Sequence, residues 1–260
     1  MNLSTVQTLI ISAVISVILS FGAAFTVLKT NTKKEQPIEE ASAYVKKALL
    51  NDPEMLEDVI AALQAAREMQ ELSSSRNALE SAGPALFNDS RDAVVGSPDA
   101  SFVLVEFYDY NCGYCKMAAK WTKELLENNS GKVRIIYKEF PVLEGRAPGS
   151  QEASLASMAV WQKQPETFKK FHYALMGNDG GFDSARINEL AANSGVDVQI
   201  MRATMQTNDS AFKTHLQETM MLARSLNIDG TPAFIANGIL VHGADTDKLQ
   251  QIFEASQEES

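Results

Sequence analysis

Phe102-Val103-Leu104-Val105-Glu106-Phe107-Tyr108-Asp109-Tyr110-Asn111-Cys112-Gly113-Tyr114-Cys115-Lys116 is the stretch around which the chain is organised. Up to Tyr108 it is almost continuously apolar, the pattern of a strand buried on both faces. Beyond the cysteines, Met117, Trp121 and Leu125 recur every four residues and mark the inner face of a helix. The chain has two cysteines, and both stand where a central strand gives way to a helix.

That position has chemical consequences. Asn111 is a good N-cap and predicts Cys112 in the first helical turn. Free amides and the positive end of the helix dipole favour a thiolate there. Lys116, one turn on, adds positive charge. Cys115 falls one turn below Cys112 on the same face, close enough for a disulfide. The pair also reads as an inert stapling disulfide or as half of a zinc site. A staple closing so short a loop adds little chain-entropy stabilisation. Structural zinc takes four ligands, whereas His172, His215 and His242 are scattered singly and there is no second cysteine pair.

At 260 residues, the chain fits one ordinary domain with extensions. Hydrophobic residues make up 45%, enough for a sizeable core, and the net charge of -10 argues against nucleic acid as a partner. Having no other cysteine fits a compartment that oxidises stray thiols.

Residues 1–28 carry no charged side chain, and Leu9 to Leu28 is long enough to span about 30 Å of hydrocarbon. The segment reads as a membrane anchor. The other reading is a cleaved signal, with Gly22-Ala23-Ala24 as a small-residue cleavage site. Lys29, Lys33 and Lys34 follow the segment, which by the positive-inside rule argues against export of the remainder. A lone CxxC makes most sense in an oxidising space and is given the greater weight.

Residues 29–37 form a polar linker, and Ile38 to Leu50 has helical spacing. Asp52 caps a second helix with Pro53 at its first position and Glu54 suiting the dipole. Met55, Val59, Ala62, Ala66 and Met69 give it a heptad-like seam. Two uses suit that seam, packing on the main domain or an oligomerisation stalk. Ser73-Ser74-Ser75 and Gly83-Pro84 mark its expected exit. The main domain is predicted from Leu86 to the end. It holds a short strand at 93–95, the central strand, the CxxC helix and a strand at 132–140. Helical pieces follow at 150–163, 166–176, 184–194, 197–206 and 210–226, with Asp183 and Asp197 as caps. Ala233-Phe234-Ile235 and Ile239-Leu240-Val241 read as a hairpin about Asn237-Gly238, and a last helix runs from about 245 to 256.

The stretch from Val105 to Lys116, together with Gly230-Thr231-Pro232-Ala233-Phe234, resembles the DsbA family of thioredoxin-fold thiol:disulfide oxidoreductases. The resemblance covers about residues 86–260. Cys-Gly-Tyr-Cys and the helical N-terminal extension are most similar to the subgroup containing the suppressor-of-copper-sensitivity proteins, ScsC. The implied fold is α/β, a thioredoxin fold with a helical insertion at about 147–226. An anchor or signal at 1–28 and a linker and helical oligomerisation region at 29–85 precede it.

The resemblance implies that Cys112 is the exposed nucleophile and Cys115 the buried resolving thiol. It implies that Thr231-Pro232 carries a cis-proline loop facing the disulfide; otherwise Pro232 is an ordinary trans proline opening an edge strand. Glu106 matches the family's buried acid, a proton acceptor for Cys115. A carboxylate within an apolar strand is costly unless paired or protonated, and its other reading is an exposed edge position. DsbA has Pro-His between its cysteines where this chain has Gly113-Tyr114, so no imidazolium stabilises the Cys112 thiolate from there. Tyr114 either lines a substrate groove or sits plainly on the helix surface.

The implied function is dithiol-disulfide exchange on disulfides of exported proteins, leaning to isomerase or reductase, with no cofactor and no metal. The partners expected are cysteine-containing exported proteins, a membrane redox partner, and further copies of the chain through residues 38–82. The location expected is the periplasm, tethered to the inner membrane by residues 9–28. Three alternatives stand beside it. One is a monomeric DsbA-type dithiol oxidase. Another is a Cu(I)-binding or metal-tolerance protein using the soft thiolates. The third is a binding or chaperone module with a structural disulfide.

Overall fold

The structure, a computed structural model, describes residues 36–258. The anchor or signal expected at 1–28, and all but the end of the expected linker, lie outside the described residues. Among the described residues, no helix is long and apolar enough to cross a membrane.

The chain forms two compact units that divide between Met69 and Gln70. The described part of the first holds α1 (Gln36–Asn51) and the start of α2 (Pro53–Phe87). Pro53 opens α2, and the Asp52 carboxylate accepts the Met55 amide at 3.3 Å, the expected cap. Met55, Leu56, Val59, Ile60 and Leu63 form an exposed apolar stripe on this helix. The stripe is broader than the predicted seam, because Leu56, Ile60 and Leu63 belong to it.

The helix does not stop at Ser73-Ser74-Ser75 or Gly83-Pro84 as the sequence predicts. Ser73 and Ser81 hydroxyls donate back to the carbonyls of Gln70 and Asn77, at 2.9 and 2.8 Å, so these side chains are accommodated within the helix. Leu79 and Leu86 are buried in the core of the second unit, and this packing outweighs local propensity.

In the second unit, β1 (Ala93–Gly96), β2 (Phe102–Tyr108), β3 (Val133–Glu139), β4 (Ala233–Ala236) and β5 (Ile239–His242) form one sheet in the order β1-β3-β2-β4-β5. β2 and β3 are parallel and the other pairs antiparallel. Both faces are covered, which explains the unbroken apolar run of β2. Phe102, Leu104 and Tyr108 face one core, packed by α3 (Gly113–Asn128) and α8 (Thr246–Glu258). Val105 and Phe107 face the other, with Leu79 and Leu86. The β4–β5 hairpin turns at Asn237 and Gly238, whose φ values of 50° and 79° are those of a two-residue turn matching strand twist.

Between β3 and β4 lie α4 (Ser150–Lys163), α5 (Pro165–Met176), α6 (Ser184–Asn193) and α7 (Val198–Ser225). Asp183 and Asp197 cap α6 and α7 as predicted. The break predicted at 207–209 is absent. Thr207 and Asn208 bond back to the carbonyls four residues earlier, and Asp209 pairs with Lys213 at 2.9 Å, so residues suited to a turn support a continuous helix.

Candidate active site

β2 ends at Tyr108 and the chain turns at once into α3. Asp109 fixes that turn. Its carboxylate is buried and accepts the amides of Asn111 and Leu143, each at 2.8 Å, and the hydroxyl of Ser150 at 2.7 Å. Asn111 is not the N-cap. Its side-chain amide donates across the turn to Ala147 O and Ser150 Oγ, both at 2.9 Å, and Cys112 itself caps α3 with φ -76° and ψ 117°. The Asn111 Nδ2 is committed to the insertion, and the extended backbone that precedes the first turn of α3 falls at Cys112, one residue later than the sequence predicts. The cysteine loop is thereby stitched to the start of the helical insertion.

Cys112 and Cys115 are both free thiols and both buried, at 7% and 0% exposure. The expected openly exposed Cys112 is thus corrected: its access is narrow, because Sγ lies 3.2 Å from Thr231 O across the loop. Its thiol is lowered to about 6. The Cys115 side chain is the main cause, donating to the thiolate. Thr231 and the amides of Cys115 and Tyr114 add to it, and burial opposes it. Lys116 is not among the causes. Its ammonium donates instead to Asn178 O and sits 6.0 Å from the Phe182 ring centre. Cys115 is pushed well above the ordinary thiol range, first by burial and then by the neighbouring Cys112. The two thiols are chemically unlike.

The Thr231-Pro232 peptide bond is cis, and the Thr231 carbonyl faces Cys112. Gly113 is exposed, and Tyr114 is 65% exposed on the helix surface beside the thiols. Glu106 is fully buried in an interior strand, so the exposed-edge reading fails. Among the described residues neither carboxylate oxygen has a hydrogen-bond partner, and burial raises its pKa to about 8.

The structure also assembles a buried polar cluster that the sequence reading missed. Glu106 stands opposite Tyr137, and Tyr108 opposite Glu139, in the parallel β2–β3 register. Glu139 accepts the Tyr108 hydroxyl, and burial raises its carboxyl to about 7. The Tyr110 hydroxyl donates to Ser157 Oγ at 2.8 Å and lies 3.1 Å from His172 Nδ1. His172 is pushed down to about 3 by burial among aromatic rings, which keeps it neutral. Strand parity puts Glu139 on the same face as Val133, Ile135 and Tyr137, but with Arg134 and Lys138 in the strand it does not stand in an apolar run as Glu106 does, and no spacing points to its partners.

Asp89, Asp92 and His215 gather donors of the kind that bind metals. Charge argues against a cation there. Arg91 binds both oxygens of Asp89, and buried Lys138 pairs with Asp92, whose other oxygen is 3.0 Å from His215 Nε2. The two carboxylates already face two cations.

Comparison with known proteins agrees with this geometry. A family model described as Thioredoxin matches residues 88–255. The catalytic domain of Proteus mirabilis ScsC is 32% identical, with a TM-score of 0.61 over 70% of this chain and 97% of that one. A linker-deletion mutant of Proteus mirabilis ScsC is 29% identical, with a TM-score of 0.66 over 88% of this chain and 99% of that one. Disulfide bond formation protein D of Bacillus subtilis is 26% identical over 174 residues, which are 62% of this chain and 75% of that protein. Other matches, to Na(+)/H(+) antiporter NhaA 1 proteins of Mycobacterium, span only 24% of those proteins.

Proposed function

The chain belongs to the thioredoxin family and is a thiol:disulfide oxidoreductase, and from that premise we propose that it works as a disulfide isomerase or reductase on exported proteins, with Cys112 as nucleophile. The observation that carries this is the set of groups that lower the Cys112 thiol: Cys115, Thr231 and the amides of Cys115 and Tyr114, with no histidine among them. DsbA, whose thiol lies at ~3.5, has Pro-His between its cysteines, where this chain has Gly113-Tyr114. A less stabilised thiolate means a less stabilised reduced form, so the disulfide is a weaker oxidant than DsbA's. At neutral pH Cys112 is largely thiolate, while Cys115 holds its proton.

In reduction, the Cys112 thiolate attacks one sulfur of a substrate disulfide. A mixed disulfide forms, and the other substrate sulfur leaves as a thiolate. Cys115 then loses its proton, with the ionised fraction of Glu106, a minority at neutral pH because burial raises that carboxyl to about 8, as the acceptor, and attacks Cys112 Sγ, which closes the Cys112–Cys115 disulfide and releases the second substrate thiolate. Attack on the mixed disulfide by another substrate thiolate instead completes isomerisation and returns Cys112 as thiolate. The Thr231 carbonyl beside Cys112 and the cis Pro232 loop hold the substrate backbone against the thiol. Gly113 leaves room above it, and Tyr114 flanks the entrance.

The oligomerising region expected at 38–82 narrows to its part before Gln70, because Leu79 fills the core of the second unit; that part assembles several copies of the chain, an assignment supported by the apolar stripe from Met55 to Leu63. Oligomerisation would shield the reduced thiols from an oxidising membrane partner and face several sites toward one substrate. Residues 9–28 tether the protein to the inner membrane with the catalytic unit in the periplasm; the support is their length and lack of charge. The test is equilibration with glutathione buffers together with recovery of activity from a scrambled disulfide protein. A reduction potential below DsbA's value of about -120 mV, with recovery of native pairing, is expected. A potential at or above DsbA's, with oxidation of dithiols only, would leave a dithiol oxidase.

A further inference from the structure

A groove of about 580 Å³ begins at Gly113, between the cysteines, and runs between α3 and α5. Its walls include Lys116, Met117, Lys120, Lys123 and Met176. The lysines follow one another at four and three residues and so share one face of α3. Lys116 is held by Asn178 O, but Lys120 and Lys123 are exposed and form no ion pair or hydrogen bond among the described residues. Glu127, one turn beyond Lys123, faces Lys169 of α5 at 3.9 Å instead. Against these ammonium groups the lining sets one carboxylate, Asp179. Met117, 59% exposed and so outside the inner face its spacing predicts, which is formed by Cys115, Ala118, Ala119, Thr122, Leu125 and Leu126, supplies adaptable apolar contact together with Met176. A chain of net charge -10 thus carries a locally cationic groove that begins at Gly113, the residue after its reactive cysteine.

We propose that this groove binds the polypeptide segment flanking the reacting cysteine of the substrate, and that it selects segments carrying carboxylates. The proposal rests on the oxidoreductase reading, since a substrate joined to Cys112 in the mixed disulfide has one of its flanking segments next to Gly113, which lines the groove. Unpaired ammonium groups favour Asp and Glu side chains and repel Lys and Arg, and the methionines accept varied apolar neighbours between them. Desolvation is slight in an open groove, so the effect is on choice among substrates more than on overall affinity.

Three peptides with the same disulfide, flanked by Glu, Gln or Lys residues, test this with the full chain. The reduced wild-type protein is expected to reduce the Glu peptide about tenfold faster than the Lys peptide. The preference should shrink as ionic strength rises and the Debye length falls below about 8 Å. In the K120E/K123E double variant the order should invert. Reversing charge in the middle of α3 also disfavours the Cys112 thiolate, but this slows all three peptides alike, so the Glu-to-Lys ratio is the readout. A ratio near one in the wild type, or the same ratio in wild type and variant, overturns the proposal. The same peptides with serine for cysteine, followed by fluorescence anisotropy, separate the two readings. Preferential binding of the Glu form without reduction of any peptide would keep the groove and sink the oxidoreductase reading.

Discussion

Cys112 and Cys115 differ by one helical turn, and their chemistry diverges because one caps the helix and the other is sealed beneath it. Cys112→Ser should abolish exchange, and Cys115→Ala should accumulate mixed disulfides on non-reducing gels. Because Cys115 is the chief donor to the thiolate, Cys115→Ala should also raise the Cys112 pKa from about 6, seen as a shifted thiolate absorbance titration. An unchanged titration would mean that the helix amides alone set it. Glu106 supplies a second measurement. Its folded pKa of about 8 lies above the ordinary 4.5, so the stability tied to its neutral form is complete below 4.5 and is lost as pH rises through about 8. Glu139 adds the same trend up to about 7. Thermal stability should fall across that window by up to ~1.4 kcal/mol per pH unit for each group. Glu106→Gln should flatten the slope and slow release of mixed disulfides; a variant whose curve parallels wild type would put the carboxyl back in the ordinary range. Glu106 was readable from an acid placed in an apolar run. Asn111 was misread because N-cap preference is a local rule, and its carboxamide answers instead to Ala147 and Ser150, residues distant in sequence.

Among the elements, β3 is tied to its surroundings by Lys138. Its ammonium reaches Ala85 O near the end of α2 and Asp92 before β1, and Asp92 in turn meets His215 of α7. Removing one partner of a buried pair leaves a charge unanswered and costs ~3–5 kcal/mol. Lys138→Met should therefore lower the urea midpoint steeply, and Asp92→Asn with Lys138→Met should lose less than the sum of the two. A loss for Lys138→Met below about 1 kcal/mol would mean that Asp92 finds water. Periodicity made most elements legible: β2, β3, α4 and the hairpin fall where the pattern puts them. Of the three breaks that fail, Gly83-Pro84 is overridden by the packing of Leu79 and Leu86 on either side of it, and those at Ser73-Ser74-Ser75 and at 207–209 have one cause. Serine, threonine and asparagine compete with a helix when alone, but bond to its carbonyls once packing holds it.

For the whole molecule, the exposed apolar stripe of α2 is the feature on which the proposed assembly rests. Light scattering should find an oligomer for the chain from about residue 36, and a monomer that keeps dithiol exchange but loses isomerase activity for residues 70–260. A monomer at high concentration in the longer chain would remove the stalk from the proposal. A cut at Leu86 is a poor experiment, because it removes Leu79 from the core it helps to fill. The fold class could be read from the cysteine stretch with Thr231-Pro232 and the hairpin. The buried cluster of Glu139, Tyr110, Ser157 and His172 could not, since strand register and helix placement bring together residues that no spacing connects.

The β2–β3 register bears on misfolding. Glu106 beside Tyr137 and Tyr108 beside Glu139 are two acid–tyrosine pairs set in opposite senses on adjacent strands. Sliding β3 by one residue would turn its acid and tyrosine to the other face of the sheet. Sliding it by two one way would press the two buried carboxyl groups together; the other way would set Tyr108 opposite Tyr137 and take Glu139 from the Tyr108 hydroxyl it accepts. An alternative pairing of the central strands is penalised in either direction. The acids that burden the native state therefore burden its close competitors more, and a collapsed chain that has mispaired its first parallel strands has reason to come apart and try again.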